Sequence, residues 1–157
     1  MKMRLNVALG LAAILMAGCS TVNESSTINA AQSAAAQKPS PPGLPFSPVV
    51  EAGGVLYLAG HLGRHPETRT YDPRIEVQTT QTLQNIAATL AGIGASMSDI
   101  VRCQVFMTDI TEFSQMNRAY RQFFPTNPPA RTTVGIAGLA APDARIEIEC
   151  TAVRNKP

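Results

Sequence analysis

The chain contains the stretch Pro129-Ala130-Arg131-Thr132-Thr133-Val134, and a second stretch, Arg145-Ile146-Glu147-Ile148-Glu149-Cys150, follows a few residues later. The alternating apolar and charged residues of the second stretch predict a β-strand. The Arg131 guanidinium can bind a carboxylate through two parallel hydrogen bonds, and a carboxylate of the second stretch, expected on a neighbouring strand, can position or deprotonate a water molecule. Together they suit hydrolysis of a small carboxylate-bearing molecule. The competing interpretation is a half-buried Arg–Glu ion pair that closes a β-hairpin.

The N-terminus resembles an export signal. Two basic residues precede an apolar run over residues 7–16, which is typical of a signal segment and too short to span a bilayer, since a spanning helix needs about 20 apolar residues. The run ends in Met16-Ala17-Gly18-Cys19, which resembles a bacterial lipoprotein processing box. We therefore expect residues 1–18 to be removed and Cys19 to be lipidated, with Ser20 indicating the outer membrane. An ordinary secretory signal with a chance cysteine is the alternative.

Charge argues against a nucleic-acid partner. The full chain has 13 basic and 11 acidic residues, and removal of Lys2 and Arg4 with the signal would leave equal numbers of each. A nucleic-acid binder is expected to carry a basic face, and no such excess is visible in the sequence. We expect contact with the membrane through the lipid anchor only.

Composition divides the rest of the chain into two parts. Residues 19–42 are rich in Ser, Thr, Asn, Ala, Gln and Pro, which cannot bury enough apolar surface to fold, so they predict a disordered tether behind the lipidated cysteine. Residues 43–157 are enough for one hydrophobic core and not for two. No internal repeat is present in the sequence.

Periodicity within the domain predicts five strands and two helices. We expect strands over 47–51 and 55–59 around a tight turn at Gly53-Gly54, a helix over 76–91, a strand over 101–108, and strands over 132–137 and 145–153. A capping box at Asp109 and Glu112 is expected to open a second helix, which runs through Phe113, Met116, Tyr120 and Phe123 and ends before Pro125. On the first helix the apolar stripe is formed by Val77, Thr80, Leu83, Ile86, Ala87 and Leu90. The order β-β-α-β-α-β-β predicts an α+β fold with two helices packed on one face of a mixed sheet.

The second face of the sheet needs a cover of its own. Period two places Ile146, Ile148, Cys150 and Ala152 on one side of the last strand and Glu147, Glu149 and Thr151 on the other. The strand over 55–59 is apolar on both sides. Two helices can cover only one face, so the pattern indicates oligomerisation through the other, with any polar group there at a subunit boundary.

The chain resembles the RidA/YjgF family of reactive-intermediate deaminases, which is also named after a translation-inhibitor ribonuclease activity. The resemblance covers about residues 44–154. It is carried by Leu44-Pro45-Phe46-Ser47-Pro48, Ala59-Gly60-His61-Leu62-Gly63, Asn117-Arg118-Ala119-Tyr120-Arg121-Gln122-Phe123-Phe124, and the two stretches quoted above, ending in Thr151-Ala152-Val153-Arg154. It implies a chorismate-mutase-like fold and a homotrimer with three clefts between subunits.

The resemblance also implies a reaction. Members hydrolyse small enamines and imines, such as 2-aminoacrylate and its 2-iminopropionate tautomer, to a 2-oxo acid and ammonia without a cofactor. Arg131 matches the arginine that binds the substrate carboxylate, Glu147 the glutamate that handles the attacking water, and Asn117 a further pocket residue. Three substrate-binding positions differ from those of the best-studied members. Phe46 stands where they have Tyr, Ala59 where they have Ser or Thr, and Thr133 where they have Cys, so we expect the substrate range or the rate to differ.

Two pairs of residues could carry other chemistry. His61 and His65 are four residues apart but lie at a strand end and in a Pro-containing loop, so we expect no metal site. Cys103 and Cys150 fall on core-facing strand positions. We expect buried free thiols there, with a disulfide as the alternative in an oxidising compartment.

Three functions remain open from the sequence. The first is an imine deaminase that depends on Arg131. The second is a module that binds small carboxylates in the inter-subunit cleft without turnover, and the third is a holdase-like interaction protein that is indifferent to Arg131. Ribonuclease action is disfavoured by the neutral charge of the mature chain.

Overall fold

The computed structural model of the chain describes residues 36–37, 43 and 45–154. The signal segment, Cys19 and most of the tether lie outside the described residues, so the predictions on them stay predictions. Within the described part, no helix is long and apolar enough to cross a membrane. Ala36–Gln37 forms a short strand, β1, that pairs with the next strand. The sequence did not predict β1, because these two residues lie in a segment of small and polar side chains.

The remaining elements form a mixed sheet and two helices. They are β2 (Val49–Ala52), β3 (Val55–Leu58), β4 (His61–Leu62), α1 (Ile75–Ala91), β5 (Ile100–Met107), α2 (Phe113–Phe123), β6 (Ala130–Gly135) and β7 (Ile146–Val153). The strand order is β1-β2-β3-β7-β5-β6, and β4 also pairs with β7. The structure confirms the predicted α+β class and every predicted element. The helix expected to open at Asp109 begins with a 3₁₀ turn, Ile110–Glu112, that leads into α2, and the other ends are displaced by at most about two residues. The short strand β4 was missed.

The β2–β3 hairpin turns at Gly53 and Gly54, as predicted. Their φ angles are 58° and 80°, both in the left-handed region that only glycine adopts without strain. Positive φ at both central residues is the signature of the tight hairpin turn whose twist matches that of the strands. This turn fixes the register of β2 against β3.

Helix α1 buries a different face from the one predicted. Leu83, Ile86 and Leu90 are buried as expected, but Gln78, Thr79 and Thr82 are buried in place of Val77, Thr80 and Ala87. The Gln78 side chain donates to the carbonyl oxygens of Asp72 (2.7 Å) and Asp143 (2.9 Å) and accepts from the Arg145 N–H (2.8 Å). Both threonine hydroxyls donate to carbonyl oxygens one turn earlier. These polar groups can be buried because each has a hydrogen-bond partner.

The two faces of the sheet differ as the sequence predicts. Ile146, Ile148, Cys150 and Ala152 of β7 join the core beneath the helices, together with Leu56, Val105 and Met107. On the other face, Tyr57 is 52 % exposed, Val134 39 % and Val153 38 %. No helix in the described part of the chain covers this second face, which we call the open face.

Cys103 and Cys150 form a disulfide. The expectation of free thiols was therefore wrong. The register explains the bond: the two residues face each other directly on β5 and β7, and their Cα atoms are 4.1 Å apart, close to the short spacing of an opposed antiparallel pair. Strand periodicity shows that both side chains face the core, but it does not show which residues are opposite each other.

Candidate active site

Arg131 is held against helix α2. It lies on the edge strand β6 directly beside Cys103 of β5, so its side chain is on the helix-covered face. The guanidinium carbon is 4.5 Å from the centre of the Tyr120 ring and 5.7 Å from that of Phe113. One guanidinium nitrogen donates to the Asn117 Oδ1 atom at 2.7 Å. Two aromatic rings and one amide thus fix the plane of the guanidinium.

An open pocket of about 470 Å³ lies at this guanidinium. Arg131 lines it together with Asn117, Tyr120, Arg121 and Phe124, and prolines close one end. Arg131 forms no ion pair with any residue in the described part of the chain. Burial raises the pKa of Tyr120 to about 12, so its hydroxyl stays neutral at physiological pH. The pocket therefore presents an oriented, uncompensated positive charge suited to an anionic group.

Glu147 lies elsewhere, on the open face. It faces Phe106 of β5 and Leu62 of β4, and its carboxylate packs against the backbone of Gly60, where a Cβ atom would come within 1.8 Å of the Glu147 Oε1 atom. Burial, and secondarily the charge of Glu149, raise the pKa of the Glu147 carboxyl. A carboxyl group with a raised pKa is a better proton acceptor near neutral pH.

The expected pairing of Arg131 with Glu147 on neighbouring strands was wrong. Strand β5 lies between β6 and β7, and the register places the two side chains on opposite faces of the sheet. The alternative, an ion pair closing a hairpin, was also wrong, because β6 and β7 do not pair and the two residues form no salt bridge. Proximity in sequence suggested a hairpin, but α2 connects β5 to a parallel β6, and the chain then crosses to the far side of β5.

The other predicted site residues divide between the two locations. Asn117 contacts Arg131 directly, and Thr133 follows on the same face of β6 with a buried hydroxyl that has no hydrogen-bond partner among the described residues. Ala59 immediately precedes Gly60, and its N–H donates to the Pro48 carbonyl oxygen at 3.0 Å. Phe46 is 51 % exposed and does not line the Arg131 pocket. The roles of these residues stay predictions.

Sequence reasoning missed three contacts of the site. The sequence predicts Phe113 and Tyr120 on the second helix without a role in the site, although with Asn117 they follow a spacing of four and then three residues, which places all three on one helix face. The helical spacing around Asn117 is therefore a signal for the side chains that contact Arg131. Gly60 was noticed as part of a motif, but nothing in the sequence shows that a glutamate packs on it.

His61 uses both ring nitrogens within the fold. Its Nδ1–H donates to the Ala59 carbonyl oxygen at 2.8 Å, so Nε2 is the acceptor from the Thr89 hydroxyl at 2.9 Å. Burial lowers the pKa of His61. No group of three or more His, Cys, Asp or Glu side chains in the described residues is arranged to hold a metal ion.

Known proteins share this arrangement of strands and helices. The family model of endoribonuclease L-PSP matches residues 35–154. The chain is 37 % identical over 109 residues to Reactive Intermediate Deaminase A, chloroplastic, of Arabidopsis thaliana, covering 69 % of this chain and 58 % of that protein. It is 36 % identical over 121 residues to a RutC family protein of Synechocystis sp., covering 75 % and 92 %.

A solved structure agrees with the sequence relatives. The crystal structure of the YjgF gene product of E. coli matches with a TM-score of 0.68 and 32 % identity, covering 76 % of this chain and 94 % of that one. The chain spans little more than half of the Arabidopsis protein but nearly all of the bacterial ones. With most of its length matched by the family model and by these relatives, the chain belongs to the endoribonuclease L-PSP family, which includes RidA and YjgF.

Proposed function

We propose that the protein is a deaminase that hydrolyses small imino acids of the 2-aminoacrylate and 2-iminopropionate type to a 2-oxo acid and ammonia. The observation that carries the proposal is the Arg131 guanidinium, which Tyr120 and Asn117 orient at an open pocket without an acidic partner. Such a group binds a carboxylate through two hydrogen bonds. The similarity to a relative named as a reactive intermediate deaminase supports the same activity.

The reaction needs little beyond orientation and one proton acceptor. Water adds to the electrophilic carbon of the protonated imine while Glu147 accepts a proton from it, which gives the carbinolamine. That proton is then returned to the nitrogen, and as ammonia leaves, Glu147 accepts the hydroxyl proton, so that the 2-oxo acid forms. Holding the carboxylate beside a positioned water supplies several kcal/mol through proximity and orientation. No cofactor takes part in this scheme.

The site is completed by a second copy of the chain. Arg131 and Glu147 lie on opposite faces of one sheet, so a single chain cannot place both beside one substrate. The open face carries exposed Tyr57, Val134 and Val153, and covering such a face is a common reason for assembly. We place the substrate in a cleft of a homotrimer, between Arg131 of one subunit and Glu147 of the partner subunit.

An assay of ammonia release from freshly generated imino acids tests the mechanism. Arg131→Lys should impair substrate capture, because an ammonium group cannot reproduce the two parallel hydrogen bonds. Glu147→Gln should lower kcat by at least about tenfold with little change in carboxylate binding. Arg74→Lys is the matched control, since Arg74 is exposed and paired with Asp72.

Mixed oligomers test the shared site. Neither Arg131→Ala nor Glu147→Gln protein alone should exceed about a tenth of the wild-type rate, but oligomers assembled from both contain intact clefts. Random mixing should restore about a quarter of the wild-type rate, because each cleft draws one residue from each of two subunits. A mixture no more active than its components would refute the shared site.

A second candidate function is capture of small carboxylates without turnover. The observation that favours it is that Glu147 does not lie near Arg131 within one chain. If Glu147→Gln hydrolyses imines at the full rate, Glu147 takes no part in the mechanism. If the wild-type protein binds pyruvate through Arg131 but hydrolyses no imine, the binding module is the correct account. A holdase-like role predicts instead that Arg131→Ala leaves the function of the protein unchanged.

We also propose that the protein works in the cell envelope, anchored to the outer membrane by lipidated Cys19 and facing the periplasm. The processing box and the Cys103–Cys150 disulfide support this location independently, because disulfides persist in oxidising compartments. Cys19→Ser should be found soluble or unprocessed, since the tether alone has no affinity for a bilayer. Sedimentation of a normally processed Cys19→Ser protein with the outer membrane would refute the anchor.

A further inference from the structure

A second arginine lines the pocket of Arg131. Arg121 is in the last turn of α2 and faces the same pocket of about 470 Å³. A smaller pocket of about 250 Å³ is lined by Ser114, Asn117, Arg118 and Arg121. Asn117 and Arg121 belong to both, so the two pockets adjoin along α2. We call this continuous feature, from Arg131 past Asn117 to Arg121, the α2 groove.

The α2 groove has two uncompensated positive charges. Helix α2 contains no acidic residue, and Arg118 is already paired with Glu76 at 2.8 Å. The Arg121 side chain forms no ion pair with any residue in the described part of the chain. The helix dipole stabilises a cation in the last turn of a helix. This accounts for a basic residue at position 121, but not for the presence of Arg121 and Arg131 in the same pocket.

The spacing of the groove fits a ligand with two anionic groups. Asn117 and Arg121 are four residues apart and therefore neighbours on one helix face, about 6 Å apart at Cβ. Since Asn117 is the residue that holds Arg131, Arg121 extends from α2 about one helical turn beyond the contact point of the first guanidinium. The pocket volume is roughly fifteen times the 30 Å³ that one water molecule occupies in the liquid. A three-carbon imino acid with one carboxylate would leave much of this space, and Arg121, unused.

We infer that the preferred substrate is an imino acid with a second carboxylate at the end of its side chain, which Arg121 binds while Arg131 binds the carboxylate next to the imine. This inference rests on the proposed deaminase function and narrows its substrate class. Arg121 is then a specificity-determining residue: its contact is to the far end of the substrate and not to the reacting atoms.

Comparison of two substrates tests the inference. Initial rates are measured with imines generated from alanine and from glutamate, for wild type, Arg121→Gln and Arg121→Lys. The wild type should prefer the doubly charged imine, and Arg121→Gln should lower the ratio of the two kcat/KM values by about tenfold, the usual effect of losing one charged hydrogen bond. Arg121→Lys should recover part of the ratio because it keeps the charge. Arg74→Gln should leave the ratio unchanged.

Binding of the product acids separates this inference from the deaminase proposal. Affinities for pyruvate and 2-oxoglutarate are measured by calorimetry with the same variants, whether or not the protein turns over imines. Tighter binding of 2-oxoglutarate that is lost in Arg121→Gln supports the second anionic subsite even if no ammonia is released. Equal affinity for the two acids in the wild type, or an unchanged affinity ratio in Arg121→Gln, overturns it.

Discussion

Reduction of the Cys103–Cys150 disulfide should destabilise the domain strongly. The bond joins residues separated by 47 positions in the chain. In the chain-entropy model, closing a loop of that length lowers the entropy of the unfolded chain by about 14 cal/mol/K, or about 4 kcal/mol at 25 °C. Since a domain of this size has a typical unfolding free energy of about 5–15 kcal/mol, the bond supplies a large share of it. The corresponding shift in Tm is about 15 °C.

The assay compares oxidised and reduced forms of one sequence. A Cys19→Ser chain retains Cys103 and Cys150 as its two cysteines, so urea unfolding with and without reductant isolates the cross-link. Protein concentration is held constant, because assembly makes apparent stability depend on concentration. The control replaces both remaining cysteines by alanine, and reductant should then have no effect.

Two results would refute this reasoning. The first is two titratable thiols per chain in unreduced, denatured protein, which would mean that the bond does not form. The second is coincidence of the oxidised and reduced urea midpoints, which would mean that the cross-link forms but does not constrain the unfolded state. The first result would also remove one of the two supports for a location in the cell envelope.

Three further predictions concern Gly60, His61 and Glu147. Gly60→Ala should fold but lower kcat several-fold in the ammonia assay, because the new Cβ atom would lie 1.8 Å from the Glu147 Oε1 atom and must displace the carboxylate; wild-type kcat would contradict this position of Glu147. Burial lowers the pKa of His61 below 6.5, so its contribution to stability is complete above about pH 6.5 and is lost as pH falls through the folded-state value. Urea unfolding between pH 5 and 8 should show this loss in wild type and not in His61→Gln. The pKa of Glu147 is raised above 4.5, so its contribution is present below that value and is lost as pH rises through the folded-state value. Glu147→Gln should therefore raise the free energy of unfolding at pH 7, by at most about 1 kcal/mol after solvent screening; a less stable variant would show that the ionised carboxylate is favourably held.

Local rules predicted most of the fold. Alternation assigned the faces of β7, and the Gly53-Gly54 pair predicted the hairpin turn whose φ angles are both positive. These features depend on a few consecutive residues, which is why they can be recognised in one sequence. The buried face of α1 could not be predicted from one sequence, since it depends on hydrogen bonds between Gln78 and residues far along the chain. The Gln78 side chain donates to the carbonyl oxygen of Asp143 and accepts from the N–H of Arg145.

The site was harder to predict because strand order is not a local property. Residue types identified Arg131, Glu147 and Asn117 as candidates, and the contact between Arg131 and Asn117 is present. Strand periodicity gives the face of each residue relative to its own strand neighbours, but not relative to another strand. Only the register, which places Cys103 between Arg131 on one side and Cys150 on the other, shows that Arg131 and Glu147 face apart.

Within one chain the sheet itself holds these two residues apart. They are separated by two strand spacings across the sheet, about 9.6 Å, and by three residues along it, since Arg131 is level with Cys150 and not with Glu147. The intervening sheet is packed on its helix side with Val105, Met107 and the disulfide. Each residue is nevertheless fixed on its own side: Tyr120 and Asn117 orient the guanidinium, while Gly60 leaves room for the carboxylate. The fold therefore presents two halves of a site, and assembly of the open face against a second copy is the arrangement that would join them.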